Sequence, residues 1–261
     1  MQIKNTIVLL TALLAGSATA RLHGHERRSH HEKREVAATA TAESTATTTS
    51  SGFGGVTSPS GTGDTYCGNV GIPYGSNIIE ITEDELDSYN WTVTLDGSFI
   101  LQEYTAYFWN NCNEEGELAG FFDTTFPLTV TIGVGEKSYV AIDVDSQGAF
   151  VTSPTSVGVP RSTTDGIIMG FWGEFNIDTT INDGWSGFDV SALVALDNGK
   201  TDYPGLALTG DGQTSYITNS LGSAYNAYSE TSEASTGGIG GNVVPGKLAL
   251  TAYMAYNGQS I

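Results

Sequence analysis

Two short segments of the sequence carry side chains that could bind or cleave sugars. In WGEFNI, the residues Trp172, Glu174 and Asn176 occupy alternate positions, and in WSGFDVS, Asp189 and Ser191 do the same. Period two is the spacing of a β-strand, so each set lies on one face of its strand. An aromatic ring can cover the C–H face of a pyranose while carboxylates and amides bond its hydroxyls.

The pattern predicts a ligand-binding face that is open to solvent. Trp185, at the turn between the two segments, adds a second aromatic ring to Trp172, Glu174, Asn176 and Asp189. We expect these five residues to contact a sugar. A second interpretation stays open, in which Trp172 packs under a loop or a second sheet and Glu174 is a solvated strand residue.

Glu174 and Asp189 are also the first pair to test for glycoside hydrolysis. That reaction needs two carboxyl groups about 5 to 9.5 Å apart, one protonated and one ionised. The chain has 27 acidic residues beyond position 34, so some pair will meet this distance by chance. The sequence therefore identifies no catalytic residue and favours a protein that is not an enzyme.

The N-terminal residues predict secretion and processing. Residues 1–20 combine a polar start, a short apolar run and small residues before a cleavage site after Ala20, as in a secretory signal. Residues 21–34 end in the dibasic pair Lys33-Arg34, which kexin-type proteases cut. We expect residues 1–20 to be a signal peptide and residues 21–34 to be a removed propeptide.

That propeptide would take every histidine with it. All four histidines of the chain lie in residues 21–34: His23, His25, His30 and His31. A retained histidine-rich metal tract is the alternative. Without histidine, the remaining chain cannot build a Ser-His-Asp triad or an imidazole zinc site. We expect no metal and no cofactor.

Processing also makes the formal net charge of the chain more negative. Removing residues 1–34 takes six of the ten cationic residues and two of the 29 acidic ones, which leaves four against 27 and a formal net charge of −23. Binding to nucleic acid or to anionic membranes requires clustered Lys and Arg. We therefore expect neither as a partner.

Three other motifs predict structure rather than chemistry. Cys67 and Cys112 are the only cysteines, and in a secreted chain they predict one disulfide.

DVDSQG at residues 143–148 resembles the start of a calcium loop, but Pro154 stands where the loop needs a glutamate, so we expect a strand end and a turn. GGIGGN at residues 237–242 lacks the third glycine of a dinucleotide fingerprint and predicts a loop.

The rest of the chain predicts a linker and one β domain. Residues 35–63 are rich in Ser, Thr and Gly and poor in large apolar groups, which is typical of an O-glycosylated linker, with an unmodified flexible tail as the alternative. Residues 64–261 suffice for a single domain, with an N-glycosylation sequon at Asn90. TEDE at residues 82–85 predicts a short capped helix.

Apolar residues in this domain recur with period two, and Gly-containing turns separate the runs. Each of three predicted strands has an apolar face. The first comprises Leu248, Leu250, Ala252, Met254 and Tyr256; the second comprises Ile167, Met169, Phe171, Phe175 and Ile177; the third comprises Phe188, Val190, Ala192, Val194 and Leu196. The fold class is mainly β, an antiparallel β-sandwich or jelly-roll-like fold with one or two short helices.

Three segments resemble the fungal secreted allergens typified by Asp f four of Aspergillus. They are the leader RLHGHERRSHHEKR, GWSGFDVSALVA at residues 184–195, and YNAYSETSEASTGGIGGNV at residues 225–243. The resemblance covers the leader and roughly the C-terminal half. It implies secretion, association with the fungal wall or medium, and IgE binding in sensitised hosts, but no catalytic residue.

A shorter likeness concerns the fold. GEFNI at residues 173–177 followed by WSGFDVSAL at residues 185–193 is similar to a strand pair of thaumatin-like proteins, although those plant proteins have many cysteines. It implies an antiparallel sandwich with an acidic cleft that in some relatives contacts β-glucan. We expect a secreted allergen-type protein that binds wall polysaccharide without catalysis. The alternatives are a carboxylate-dependent hydrolase acting on β-glucan and a structural wall component.

Overall fold

The computed structural model describes residues 52–261, which fold into two β-sheets packed face to face. The predicted signal peptide with Ala20, the histidine-rich propeptide with Lys33 and Arg34, and residues 35–51 of the predicted linker lie outside the described residues. The strands are β1 Ile78–Ile81, β2 Trp91–Asp96, β3 Tyr104–Asn110, β4 Leu128–Ile132, β5 Lys137–Ile142, β6 Ser146–Pro154, β7 Trp172–Ile177, β8 Ser186–Ser191, β9 Leu206–Gly210, β10 Gln213–Ile217, β11 Ala224–Tyr225, β12 Gly241–Val243 and β13 Leu248–Met254.

The strands divide into a seven-stranded and a six-stranded sheet. The first has the order β1-β5-β2-β13-β9-β10-β11, and the second has the order β12-β8-β7-β6-β3-β4. Every pair is antiparallel except β2 with β13, which run parallel. The predicted sandwich is confirmed, with this one parallel pair as an addition.

The main core lies between the two sheets and follows the predicted alternation. On β13 the alternate residues Leu248, Leu250, Ala252 and Met254 are buried in this core. Phe175 and Ile177 of β7 point into it as well. Burial of alternate side chains from both sheets is what holds a sandwich together.

A second hydrophobic cluster covers the outer face of the six-stranded sheet. Its buried members are Trp109, Phe121, Ala149, Val151, Ile167, Ile168, Met169, Trp172, Leu193, Val194, Tyr228 and Ala234. The prediction that Ile167 and Met169 share a face with Phe171 in one strand was wrong, because β7 begins only at Trp172. The central strands of the six-stranded sheet, β6, β7 and β8, are therefore buried on both faces.

The predicted strand over residues 188–196 ends early and continues as a helix. Phe188, Val190 and Ala192 lie in the main core as predicted, but Leu193–Asp197 forms a short helix, α1. Val194 on this helix joins the second cluster. The apolar run suits either structure, since short apolar runs do not distinguish strand from helix.

The other helical segments are short 3-10 helices of three to six residues. The predicted capped helix is a 3-10 helix over Glu83–Ser88, and the Glu85 carboxylate accepts hydrogen bonds from the backbone N–H and the hydroxyl of Thr82, both at 2.8 Å. Short 3-10 turns also occur at Asn219–Leu221 and Thr231–Ser235. In the part of the chain that the structure describes, no helix is long and apolar enough to cross a membrane.

The N-terminal end of the described chain is attached to the sandwich by pairing and by a disulfide. Gly55 pairs with Ile72, and Ser60 pairs with Cys67, so residues 52–63 lie against the domain. Cys67 and Cys112 form the predicted disulfide, with their Cα atoms 5.8 Å apart.

Candidate functional site

Glu174 and Asp189 stand directly opposite each other on neighbouring antiparallel strands. They are register partners in the pairing of β7 with β8. The row continues through Ala149 of β6, which pairs with Glu174, to Trp109 of β3, which pairs with Ala149. Side chains of directly paired residues share a face, and their Cβ atoms are about 4.5–5.5 Å apart.

A second row of polar side chains runs beside the first. Gln147 of β6 pairs with Asn176 of β7, which pairs with Gly187 of β8. The amide oxygen of Asn176 accepts a hydrogen bond of 2.6 Å from the hydroxyl of Thr179.

Trp185 contributes the aromatic group that solvent can still reach. It is half-buried and lies immediately before β8, where its backbone N–H donates to the carbonyl of Asn182 at 2.9 Å. Trp185 directly precedes Ser186, the first residue of β8, the strand that carries Gly187 and Asp189. We call Gln147, Glu174, Asn176, Trp185 and Asp189 the acidic face.

Trp172 belongs to the hydrophobic cluster rather than to an open surface. Its side chain is only 5 % exposed. Its ring meets Trp109 edge to face at 5.0 Å between centroids and stacks on Phe121 at 6.1 Å. The expectation that Trp172 offers an exposed ring to a sugar was wrong, because residues distant in the sequence cover it.

Glu174, Asn176 and Asp189 are also buried, with 9 %, 8 % and 3 % of their surfaces exposed, so the prediction of a face open to solvent was wrong for these three residues too. The backbone of Gly240 lies against Asp189: a Cβ atom added at Gly240 would stand 2.6 Å from the Cβ of Asp189 and 2.3 Å from the carbonyl oxygen of Phe188. Gly240 also has φ +92°, which favours glycine. The glycine-rich sequence of this segment predicted a loop but not its contact with Asp189.

The end of β7 next to the acidic face holds further carboxylates. Burial, together with the nearby charge of Asp145, raises the pKa of Asp178. Asp145 accepts a hydrogen bond of 2.7 Å from the hydroxyl of Tyr66. Burial, with this hydrogen bond adding to it, raises the pKa of Tyr66 to about 12.

The predicted strand end and turn at residues 143–148 is confirmed, because residues 143–145 connect β5 to β6 and residues 146–148 are the first of β6. Burial raises the pKa of Asp143, whose carboxylate also accepts a hydrogen bond of 3.0 Å from Asn69. Across residues 52–261, no group of three or more His, Cys, Asp and Glu side chains is arranged to hold a metal ion.

The acidic face therefore combines groups that suit a neutral sugar. Carboxylate and amide oxygens accept from hydroxyls, amide N–H groups donate to them, and a half-buried indole can lie along a ring. The direct pairing of Glu174 with Asp189 is also compatible with the separation of about 5–5.5 Å found in retaining glycosidases.

Comparison with known proteins gives the family. The family model described as Allergen Asp f 4-like domain matches residues 76–254, which include both sheets and the acidic face. The allergen Asp f 4 of Aspergillus fumigatus is 35 % identical to this chain over 98 % of the chain and 99 % of its own length. The resemblance in the leader and the C-terminal segments is thus confirmed across the whole domain, and the chain belongs to the Asp f 4-like allergen family.

Proposed function

We propose that this protein is a secreted fungal allergen-type protein that acts outside the cell, associated with the wall, and that its acidic face binds wall polysaccharide without cleaving it. The observation that carries the proposal is the placement of Glu174, Asn176 and Asp189 on one face of two neighbouring strands, with the half-buried Trp185 immediately before one of them. Hydroxyl-rich neutral chains suit such a face, whereas phosphate-bearing polymers would be repelled by its charge.

The difference in burial between the two carboxylates favours binding over cleavage. A glycosidase needs both carboxyl groups in contact with the scissile bond. Asp189 is almost fully buried and lies against Gly240, while Glu174 is nearer to the surface. Glu174 would then contact the sugar, and Asp189 would support Glu174 from beneath.

The family supports the immunological part of the proposal. The Aspergillus fumigatus relative is named an allergen, and we infer that the present protein also binds IgE from sensitised hosts. Immunoblots with sera from patients sensitised to Aspergillus test this. Binding that survives periodate oxidation of glycans would support a protein epitope, and absence of binding in all Asp f 4-positive sera would contradict the inference.

Glycosylation is proposed at a position that leaves the acidic face free. Asn90 is exposed and lies immediately before β2, in the seven-stranded sheet, whereas the acidic face belongs to the six-stranded sheet. A mass shift removed by endoglycosidase, and absent in Asn90→Gln, would support an N-glycan there.

The binding proposal can be tested with insoluble polysaccharides. Protein secreted from a fungal host would be mixed with β-glucan, chitin or cellulose, and the supernatant assayed for protein. We expect saturable depletion on at least one matrix, weakened about tenfold by Glu174→Gln or by Trp185→Ala. Glu80→Gln and Trp91→Ala are matched controls, because both change the same residue types on the seven-stranded sheet.

Each outcome of that assay has a separate meaning. Depletion that all four variants leave unchanged would reject the acidic face as the binding surface. No depletion on any matrix would favour a structural wall component or a protein of the medium. Equal weakening by Glu80→Gln would indicate an effect of net charge rather than of the face.

A hydrolase acting on β-glucan is the second candidate, and the direct pairing of Glu174 with Asp189 favours it. The same supernatants would be assayed for reducing sugar. Release that Glu174→Gln and Asp189→Asn each abolish would support this pair, with Glu174 as acid and Asp189 as nucleophile or base. If no reducing sugar is released while the protein is still depleted from the supernatant, the result supports binding without cleavage.

A further inference from the structure

A second cleft lies at one end of the sandwich, away from the acidic face. Its volume is about 530 Å³, which falls in the range of about 300–1,000 Å³ for small-molecule sites. Four segments meet there: the β2–β3 loop, the segment before β9, the β10–β11 turn and the C-terminal residues. The lining residues are Ser98, Phe99, Leu101, Gln102, Tyr104, Asp202, Tyr203, Pro204, Asn219, Ser220, Ala255, Asn257 and Gln259.

The lining combines aromatic rings with amides. Phe99, Tyr104 and Tyr203 provide the rings, and four of the other lining residues are Asn or Gln. Asp202 is the one ionisable carboxylate in the lining, which contains no Lys and no Arg. An anionic ligand would find no counter-charge there, so the chemistry favours a neutral ligand rich in hydroxyls.

Polar groups on the wall of the cleft are already held in position. The side-chain oxygen of Asn219 accepts a 2.7 Å hydrogen bond from the backbone N–H of Gly205. The hydroxyl of Ser220 donates to Asp202 at 2.7 Å. Groups held by their own hydrogen bonds lose little freedom when a ligand binds.

Backbone strain is concentrated at the same place. Ser220, Leu221 and Ala255 have φ of 54°, 56° and 53°, in the left-handed region that side-chain-bearing residues rarely adopt. Such strain tends to persist at functional sites, where the surrounding structure maintains it. Two of these residues line the cleft, and the third is adjacent in the chain.

Apolar groups at the rim are left open to solvent. Leu101 is 95 % exposed. Phe99 is half-buried and packs on Tyr253 and Tyr256, with ring centroids 5.9 and 5.8 Å away. The C–H faces of sugar rings would cover these groups, while the amides bond the ring hydroxyls.

We infer that this cleft is a binding site for a short neutral oligosaccharide, separate from the acidic face. The inference does not rest on the proposed function, because no residue of the acidic face lines the cleft. If both sites bind, the protein could hold two segments of a polysaccharide, or two chains, at once.

The test uses soluble ligands, so its result is independent of the depletion assay with insoluble polysaccharides. The secreted protein would be titrated by calorimetry with hexasaccharides of β-1,3-glucan, β-1,4-glucan and chitin. Replacing Phe99 risks unfolding, so the site variant is Gln102→Ala with Asn257→Ala, both exposed amides. Asn242→Ala, an exposed amide on β12, is the matched control, and Glu174→Gln reports on the acidic face.

We expect one hexasaccharide to bind, with affinity at least tenfold weaker in the double variant and unchanged in Asn242→Ala. Binding to the cleft would also persist in Glu174→Gln, even if that variant loses depletion on insoluble glucan. The inference is overturned if no hexasaccharide binds, if the double variant binds as tightly as the parent, or if Glu174→Gln alone abolishes binding.

Discussion

Trp109 and Trp172 pack edge to face beneath the loops that cover the six-stranded sheet, with ring centroids 5.0 Å apart. Both indoles are almost completely buried. Trp172→Ala would empty this position and should lower the free energy of unfolding by about 3–5 kcal/mol. Chemical denaturation measures the change, and the affinity of the remaining folded protein for polysaccharide should stay the same.

Trp185→Ala is the complementary variant. Because Trp185 is half-buried, its loss should cost roughly 1 kcal/mol of stability and act mainly on polysaccharide binding. The reverse result, in which Trp172→Ala weakens binding at equal folding and Trp185→Ala does not, would contradict our assignment of the two rings.

Alanine variants at Gly240 and Gly238 distinguish the effect of backbone strain on stability from the effect of steric clash. Both have positive φ, 92° and 86°, but a Cβ atom at Gly238 meets nothing within 4 Å, whereas at Gly240 it meets Phe188 and Asp189. Gly240→Ala should therefore be less stable than Gly238→Ala by about 1–3 kcal/mol. It should also weaken binding at the acidic face by displacing Asp189. Equal melting temperatures for the two variants would show that the loop moves away from Phe188 and Asp189 without loss of stability.

The disulfide should contribute strongly to stability. Cys67 and Cys112 close a loop whose ends are 45 positions apart, for which the chain-entropy relation gives about 4 kcal/mol. The double variant Cys67→Ser with Cys112→Ser should lose this amount in guanidinium denaturation. The parent under reducing agent serves as control, since it should lose a similar amount. A loss below about 1 kcal/mol in both would show that the sandwich does not need the bond.

Stability should also depend on the charge of Asp178. Because burial and the charge of Asp145 raise the pKa of Asp178 above its ordinary value, the folded state binds a proton there more tightly than the unfolded state. The resulting destabilisation is complete above the folded-state pKa and disappears below the unfolded-state pKa, near 3.9.

Because Asp178 is partly exposed and solvent screens its charge, Asp178→Asn should stabilise the protein at pH 7 by no more than about 0.5 kcal/mol, and the gain should fade by about pH 3. Asparagine tolerates the positive φ of 45° at this position, so the backbone should not oppose the change. Urea denaturation at the two pH values measures it. A gain of equal size at both would assign the effect to packing or hydrogen bonding instead of charge.

Local patterns account for a large part of the fold. Alternation predicted the buried face of β13, and a Gly-containing turn at residues 210–212 separates β9 from β10, where Asp211 and Gly212 have positive φ. The same alternation placed Glu174, Asn176 and Asp189 on one side of their strands. These features depend on neighbours in the chain, which a single sequence displays directly.

The tertiary structure decided which residues cover the side of the sheet that carries Glu174 and Asp189. Trp172 is buried because Trp109 and Phe121, more than 50 positions away, pack on it, and Gly240 lies over Asp189 in the same manner. The pairing of Glu174 with Asp189 also depends on the register of two strands. Period two determines that residues share a face, but burial and register arise from contacts between distant segments, which the local pattern does not encode.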